Sequence, residues 1–303
     1  MVTPLWESPS LSAEMGVPVF LKMEALQPIG SFKIRGIGAA CQASWEDGAK
    51  LLVCASGGNA GYAVAYAGRR LGMAVTIVVP QTTSSWMQNI LRREGATVAA
   101  HGDSWDDAHD YATALATQEN AAYIHPFDDP RVWEGHASII HEIAEANIKP
   151  GAIVVSVGGG GLLCGLLEGL HQIGWKEIPV VAVETEGAAS FAASAQAGRL
   201  ITLDRIASIA TTLGARTVAP AALAWAQRHK IISWVVTDRA AVDACRRFAD
   251  EQRLLVEPAC GAALAAVYGR ANPLEGLAPI VVIVCGGAGV SLTLLEEWKK
   301  KVS

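Results

Sequence analysis

Short runs of β-branched and other apolar residues, uninterrupted by polar positions, recur along this chain and alternate with stretches of helical periodicity. A strand that is apolar on both faces must be covered on both faces. That is the condition of a parallel strand in an α/β sheet, not of an antiparallel strand with one side in water. Strands are expected at Val19 to Met23, Leu51 to Cys54, Val75 to Val79, Thr97 to His101, Ala152 to Val157, Val180 to Glu184 and Val281 to Cys285. Helices are expected near Asn59 to Arg70, Ser84 to Arg93, Trp105 to Gln118, Leu162 to Ile173, Asp238 to Glu251 and Pro258 to Tyr268, with a last one over Glu296 to Lys300. The fold class is α/β, with open, twisted, mostly parallel sheets. A chain of 303 residues that is 51% hydrophobic and 17% charged can bury a large core, and its length suggests two domains. The Pro126 to Pro130 segment, followed by an apolar strand at Ala152, places the end of one sheet before about Pro126 and the start of a second after it.

Charge and cysteine usage exclude several function classes. The net charge of -5 has no basic block behind it, so the counter-ion release that drives nucleic-acid binding has no source. Met1 to Glu7 lacks both a basic region and a long apolar stretch, and later apolar runs are broken well before membrane-spanning length; the expected location is the cytoplasm. Cys41, Cys54, Cys164, Cys245, Cys260 and Cys285 are scattered through apolar stretches, as buried thiols are in a reducing compartment. His141-Glu142 begins like a zinc-protease helix, but Glu145 stands where the second histidine would be needed.

Two glycine-rich turns and one lysine carry the chemistry. The run Gly158-Gly159-Gly160-Gly161 follows an apolar strand and opens an apolar helix, so successive N–H groups can converge on phosphate oxygens at a positive helix end. A tight strand-to-helix turn without a ligand would look the same. The dinucleotide fingerprint fails because Leu163 stands at its last glycine, and no lysine follows as in a nucleoside-triphosphate loop. The loop Ser56-Gly57-Gly58-Asn59-Ala60-Gly61 offers hydroxyl, amide and backbone donors suited to an α-carboxylate, although Ser56 read by itself is better explained as a helix cap. Lys33, in Gly30-Ser31-Phe32-Lys33-Ile34-Arg35, has a small, aromatic-flanked, uncharged approach. Such a setting can desolvate an amine and lower its pKa, which makes it a nucleophile able to form a Schiff base, although Lys33 read by itself is better explained as a surface lysine.

Gln27 to Gly36, the Ser56 to Gly61 loop, Gly158 to Gly161 and Cys285-Gly286-Gly287, in this order, closely resemble the serine/threonine dehydratase family of pyridoxal phosphate enzymes, of the tryptophan-synthase-β-like fold type II. Pro126 to Pro130, Trp133 to Ser138 and Val256 to Ala263 share that character, so the resemblance spans essentially the whole chain and is closest to short L-serine dehydratases and serine dehydratase-like proteins. It implies a large cofactor-binding domain of residues 1–31 and 127–303 and a small substrate-binding domain of residues 32–126. It also implies that Lys33 holds pyridoxal 5'-phosphate covalently and removes the substrate α-proton. Phe32 would pack beside the cofactor ring, Asn59 would meet its phenolic oxygen, Gly158 to Gly161 with Leu162 would form the phosphate cup, and Cys285, with Gly286 following, would lie near the pyridine nitrogen. Lys33, Ser56 and Asn59 are then the expected catalytic residues, and Ser56, Gly57, Gly58, Asn59 and Ala60 the substrate loop.

The implied reaction is α,β-elimination from L-serine or L-threonine to pyruvate or 2-oxobutanoate and ammonia. A neutral thiol at Cys285 gives the ring nitrogen little reason to stay protonated, which favours elimination over racemisation or transamination. The resemblance further implies a homodimer without a feedback domain, and a monovalent cation such as potassium at Glu184, Ala188 and Ser190 with carbonyls near Gly158, Leu213 and Ala215. Glu184 could equally be a strand-end surface carboxylate. Three positions depart from the pattern. Ile29 replaces a small polar residue, Gly289 stands where relatives often carry Asn and so removes a polar contact, and Gly57 removes a second-face hydroxyl and widens the pocket. The alternatives are another β-elimination or β-replacement enzyme, a 3-hydroxyaspartate dehydratase, a nucleotide-dependent dehydrogenase and a non-catalytic amino-acid-binding protein on the same fold.

Overall fold

The computed structural model describes residues 1–302. The chain divides into two units: Met1–Ser31 with the chain from Ala137 onward, and Phe32–His136. The larger unit begins with β1 (Leu5–Glu7), α1 (Pro9–Met15) and β2 (Val19–Lys22). The smaller contains α2 (Lys33–Glu46), β3 (Leu51–Ala55), α3 (Asn59–Leu71), β4 (Ala74–Val79), α4 (Ser85–Arg93), β5 (Thr97–Ala100), α5 (Trp105–Gln118) and β6 (Ala122–Tyr123). Helix α6 (Pro130–Glu145) carries the chain back. There follow β7 (Ala152–Ser156), α7 (Gly161–Gln172), β8 (Val180–Thr185), α8 (Ser190–Ala197), α9 (Pro220–Ala226), β9 (Ile231–Val236), α10 (Asp238–Gln252), α11 (Pro258–Tyr268), β10 (Ile280–Ile283) and α12 (Leu292–Val302).

The larger unit's sheet runs β1-β2-β10-β7-β8-β9, parallel throughout except for β1 against β2. Strands β7, β8 and β10 are buried at every position, as continuously apolar sequence requires of strands covered on both faces. The smaller unit's sheet runs β5-β4-β3-β6 and is wholly parallel. Its core joins Val53, Ala55 and Val78 of the sheet to Ala108, Ala112 and Ala116, which recur every four residues along α5 and so share one face. Ser104 starts that helix with a reciprocal capping box to Asp107, and the indole of Trp105 donates to the Ala55 carbonyl at 2.8 Å, fastening the helix start to the end of β3.

The chain returns to the larger unit at His136–Ala137, inside α6, and not after residue 126 as expected from sequence. The first turns of α6 belong to the smaller unit because they pack on α2. An added Cβ at Gly135 would stand 2.7 Å from the Gly36 Cα, and the His136 ring lies 5.0 Å from that of Phe32.

Candidate active site

In the smaller sheet the winding proceeds from β3 outward through β4 to β5, whereas β6 lies on the other side of β3. Loops leaving β3 and β6 therefore diverge. In open parallel sheets such a reversal creates a crevice beyond the carboxyl ends of the strands, where ligands bind. Strand β3 leads into Ser56, Gly57 and Gly58, and β6 leads into His125 to Asp128.

The loop after β3 enters α3 with Gly58 as N-cap and no side-chain cap. Ser56 thus does not cap the helix; its hydroxyl accepts the Gly58 N–H at 3.3 Å and stays within the loop. A Cβ at Gly61 would press on the Ser56 carbonyl and stand 3.1 Å from Ile77, so only glycine lets the loop fold back onto its own helix. The result is a half-buried turn of Ser56 to Asn59 at the positive end of a helix of 13 residues, a setting that suits a carboxylate.

Lys33 is the first residue of α2 and is half-buried. Its amine donates to the Pro126 carbonyl at 2.6 Å and lies 5.2 Å over the Phe32 ring. That carbonyl sits in a stapled turn. Nδ1 of His125 accepts N–H groups from Asp128 at 2.7 Å and Phe127 at 3.3 Å, and the Trp133 indole donates to the Phe127 carbonyl at 2.7 Å. An imidazole nitrogen that accepts carries no proton. Burial, followed by His109 and Lys33, pushes His125 down to about 4, which keeps it neutral. His136 is fully buried with neither ring nitrogen hydrogen-bonded among the described residues, and burial, then the charges of Lys33 and Arg35, hold its pKa well below the ordinary value. Both imidazoles coupled to the amine are therefore uncharged.

The extra room expected at Gly57 is absent. A Cβ there would stand 2.6 Å from the Thr83 hydroxyl oxygen and 2.7 Å from its methyl, so a side chain from the turn after β4 already fills the space.

The larger sheet repeats the reversal: β7, β8 and β9 proceed in one direction and β10 lies on the other side of β7. Beyond β7 come Gly158 to Gly161. Gly160 has φ 91° and is the N-cap of α7, again with no side-chain cap, and Gly160, Gly161 and Leu162 are buried. A buried helix start whose first N–H groups lack a capping side chain calls for an anionic partner, and a phosphate fits that donor set.

Beyond β10 lies Cys285, whose thiol is pushed well above its ordinary pKa by a hydrogen bond with Cys260 and then by burial, so it remains neutral. The loop after it is fastened to the segment preceding Lys33. The Gly287 N–H donates to the Gly30 carbonyl at 2.7 Å, and Ser31 pairs with Gly286 in an antiparallel bridge. Chain continuity then sets Phe32 and Lys33 next along the backbone. Within the larger unit the buried cradle fits the phosphate of pyridoxal phosphate and the neutral thiol fits an uncharged ring nitrogen; within the smaller, the Lys33 amine fits a Schiff-base link.

Sequence reasoning gave Glu257 no role. Its buried carboxylate accepts the Thr212 hydroxyl at 2.8 Å and the Gly289 N–H at 2.5 Å, and an added Cβ at Gly289 would lie 2.7 Å from it. The space a side chain at Gly289 would take is thus occupied by a carboxylate from α11's N-cap. The only sequence signal was its place in the Val256 to Ala263 stretch.

Among the residues expected to hold a cation, Glu184 is no surface carboxylate. It is fully buried, its oxygens accept the Phe191 and Ala192 N–H groups at 2.8 and 2.7 Å, and burial raises its pKa to about 7. Beside it, Ala188 is buried and the Ser190 hydroxyl is buried without a hydrogen-bond partner among the described residues. Gly158 approaches Leu213 closely enough that a Cβ would stand 2.9 Å from the Leu213 Cα, while the Leu213 carbonyl accepts the Ala215 N–H at 2.8 Å. No hydrogen bond among the described residues joins these two groups.

A family model described as pyridoxal-phosphate dependent enzyme matches residues 1–286. A rat (Rattus norvegicus) protein named serine dehydratase-like is 50% identical, the alignment covering 100% of this chain and 94% of that protein. The human (Homo sapiens) L-serine dehydratase/L-threonine deaminase is 50% identical, with 99% of this chain and 94% of that protein covered. The crystal structure of a fungal L-serine ammonia-lyase from Rhizomucor miehei superposes with a TM-score of 0.94 at 39% identity, covering 100% of this chain and 99% of the other.

Proposed function

Because this chain belongs to the pyridoxal-phosphate-dependent serine/threonine dehydratase family, with its fold type II architecture, we propose that it converts L-serine to pyruvate and L-threonine to 2-oxobutanoate with release of ammonia. The observation that carries the reading is the placement of its chemical groups at the winding reversals of the two sheets: Ser56 to Asn59 and the Lys33 acceptor Pro126 at one, Gly158 to Gly161 and Cys285 at the other.

When bound, pyridoxal phosphate supplies an electron sink that makes the α-proton of an amino acid removable. The chain's own residues do the rest. The N–H groups opening α7 would hold the phosphate, and Leu162 lines that turn with apolar surface. The first turn of α3 and the Ser56 hydroxyl would bind the substrate carboxylate, and Asn59 would help to hold the cofactor. Lys33 would be the residue that holds the cofactor, and its amine would be the base that takes the α-proton. Pro126 gives that amine a fixed acceptor, so its lone pair has a defined direction. Cys285, kept neutral, would offer the cofactor's ring nitrogen no charged partner, a setting that favours elimination. In balance, the α C–H and β C–O bonds break, water leaves, and the released enamine takes up water to give the keto acid and ammonia.

A potassium ion at Glu184, Ser190 and neighbouring carbonyls belongs to the same reading, since oxygen ligands suit a hard cation. A homodimer and a cytoplasmic location complete it. A 3-hydroxyaspartate substrate would need a cation for its second carboxylate. Arg131 is already engaged by Asp129, at 2.8 Å through Nη2 and 3.2 Å through Nε, which weighs against it.

The test is borohydride reduction of the cofactor-loaded protein followed by peptide mass analysis, together with keto-acid assays on L-serine, L-threonine, D-serine and 3-hydroxyaspartate. A pyridoxyl adduct on Lys33, turnover of both L-amino acids and loss of nearly all turnover in Lys33→Ala are expected. An adduct on another lysine, or a several-thousand-fold preference for 3-hydroxyaspartate, would overturn the reading.

A further inference from the structure

Gly57 sits in the middle of the substrate loop and has no side chain, yet the space in front of it is occupied. Thr83 puts its hydroxyl oxygen 2.6 Å and its methyl 2.7 Å from where a Cβ of residue 57 would stand, and its own Cβ is at 3.2 Å. The two residues come together because β3 and β4 are paired in parallel, with Ala55 opposite Val78, so the loops leaving their carboxyl ends lie side by side. Thr83 is also held on both sides along its backbone. Its N–H donates to the Pro80 carbonyl at 3.0 Å, its carbonyl accepts from Gln88 at 3.0 Å, and the next residue, Ser84, caps α4 through the Met87 N–H. A half-buried side chain on a fixed backbone, wedged against the middle of a binding loop, acts as a wall.

We propose that Thr83 is a specificity-determining residue of the substrate loop: its side chain, standing in for the one Gly57 lacks, sets how much room a substituent on the substrate β-carbon has. The proposal rests on the reading that Ser56 to Ala60 bind the amino acid. Shape is the determinant. The Thr83 hydroxyl makes no hydrogen bond among the described residues, so replacing it by a methyl leaves no protein partner unsatisfied. Removal of the Thr83 methyl should open space for the extra methyl of L-threonine over L-serine, and one methyl group in a pocket changes discrimination by about tenfold or more.

The experiment compares kcat/KM for L-threonine and L-serine in the cofactor-loaded enzyme and its Thr83→Ser and Thr83→Val variants. Thr83→Ser should raise the threonine-to-serine ratio by about tenfold. Thr83→Val, which keeps the shape, should leave the ratio within about twofold, well under one methyl's worth. A second measurement reads the contact itself. Gly57→Ala should lower Tm, and adding Thr83→Ala, which clears both crowding atoms, should recover most of the loss; residues in contact give such non-additive cycles. Turnover of both amino acids with a ratio unmoved by Thr83→Ser, a ratio moved by Thr83→Val, or an additive cycle in Tm would each overturn the assignment of Thr83. Failure of the unmodified enzyme to turn over either amino acid would instead overturn the functional reading on which it rests.

Discussion

Nδ1 of His125 accepts two backbone N–H groups and loses both once it is protonated, and with them the turn that presents the Pro126 carbonyl to Lys33. Its pKa falls from an ordinary 6.5 to about 4 on folding, through burial first and then the charges of His109 and Lys33. The unfolded chain therefore binds the proton more readily. The stability this neutral imidazole brings is fully present above about pH 6.5 and is lost as pH falls toward 4, an effect on the order of 3 kcal/mol. His136, buried and also held neutral, adds to the same slope. We expect Tm, followed by circular dichroism, to drop between pH 7 and pH 4. In His125→Phe, which keeps a ring against Phe127 and removes the acceptor, Tm should be lower at pH 8 and its fall toward pH 4 shallower. The variant should also lose kcat at pH 8, where His125 does not titrate, because the lysine amine loses its fixed acceptor. Parallel Tm profiles for variant and parent would show that His125 is not the titrating group.

At the scale of elements, the start of α7 carries the most specific demand. Gly160 sits at φ 91°, a region other residues rarely adopt, and a Cβ there would stand 2.8 Å from the Ala222 Cβ of α9. Gly160→Ala should therefore cost about 1 to 3 kcal/mol of stability and turn the N–H groups away from the phosphate. Titration with pyridoxal phosphate, followed by absorbance, should show affinity weakened by about tenfold or more, equivalent to about 1.4 kcal/mol. Unchanged affinity would mean the phosphate is held elsewhere. Elements with strong local signals were legible in the sequence. Helix α5 follows a Ser104 capping box and α11 begins with Pro258, and both match the ranges expected. Helix α2 was not foreseen because Gly36 and Gly38 interrupt its periodicity, and α6 because its Pro126 to Pro130 approach reads as a loop. The edge strand β9, mostly half-buried, lacks the fully buried pattern of its neighbours. Of the site, the residues set by motif were legible. Thr83 at Gly57 and Glu257 at Gly289 were not, since no local pattern tells which distant side chain fills the space a glycine leaves.

Across the whole molecule, the chain passes from the larger unit into the smaller at Ser31–Phe32 and returns at His136–Ala137. Lys33 belongs to the smaller unit, and Gly158 to Gly161 with Cys285 to the larger. A ligand that binds the folded chain and not the unfolded one raises stability by about 2.7 kcal/mol at a hundred times its Kd. For units of this size that is roughly 5 to 10 °C in Tm, taking about 2 to 4 °C per kcal/mol. The cofactor-loaded protein should therefore unfold several degrees above the cofactor-free protein. Lys33→Ala should keep part of the rise, because the donors at the start of α7 still hold the phosphate, whereas Gly160→Ala should keep part through the covalent link alone. The double variant should show almost none. These shifts are read by differential scanning calorimetry with and without pyridoxal phosphate, and they require no catalysis. A full-sized rise in the double variant would place the cofactor on other residues of this chain.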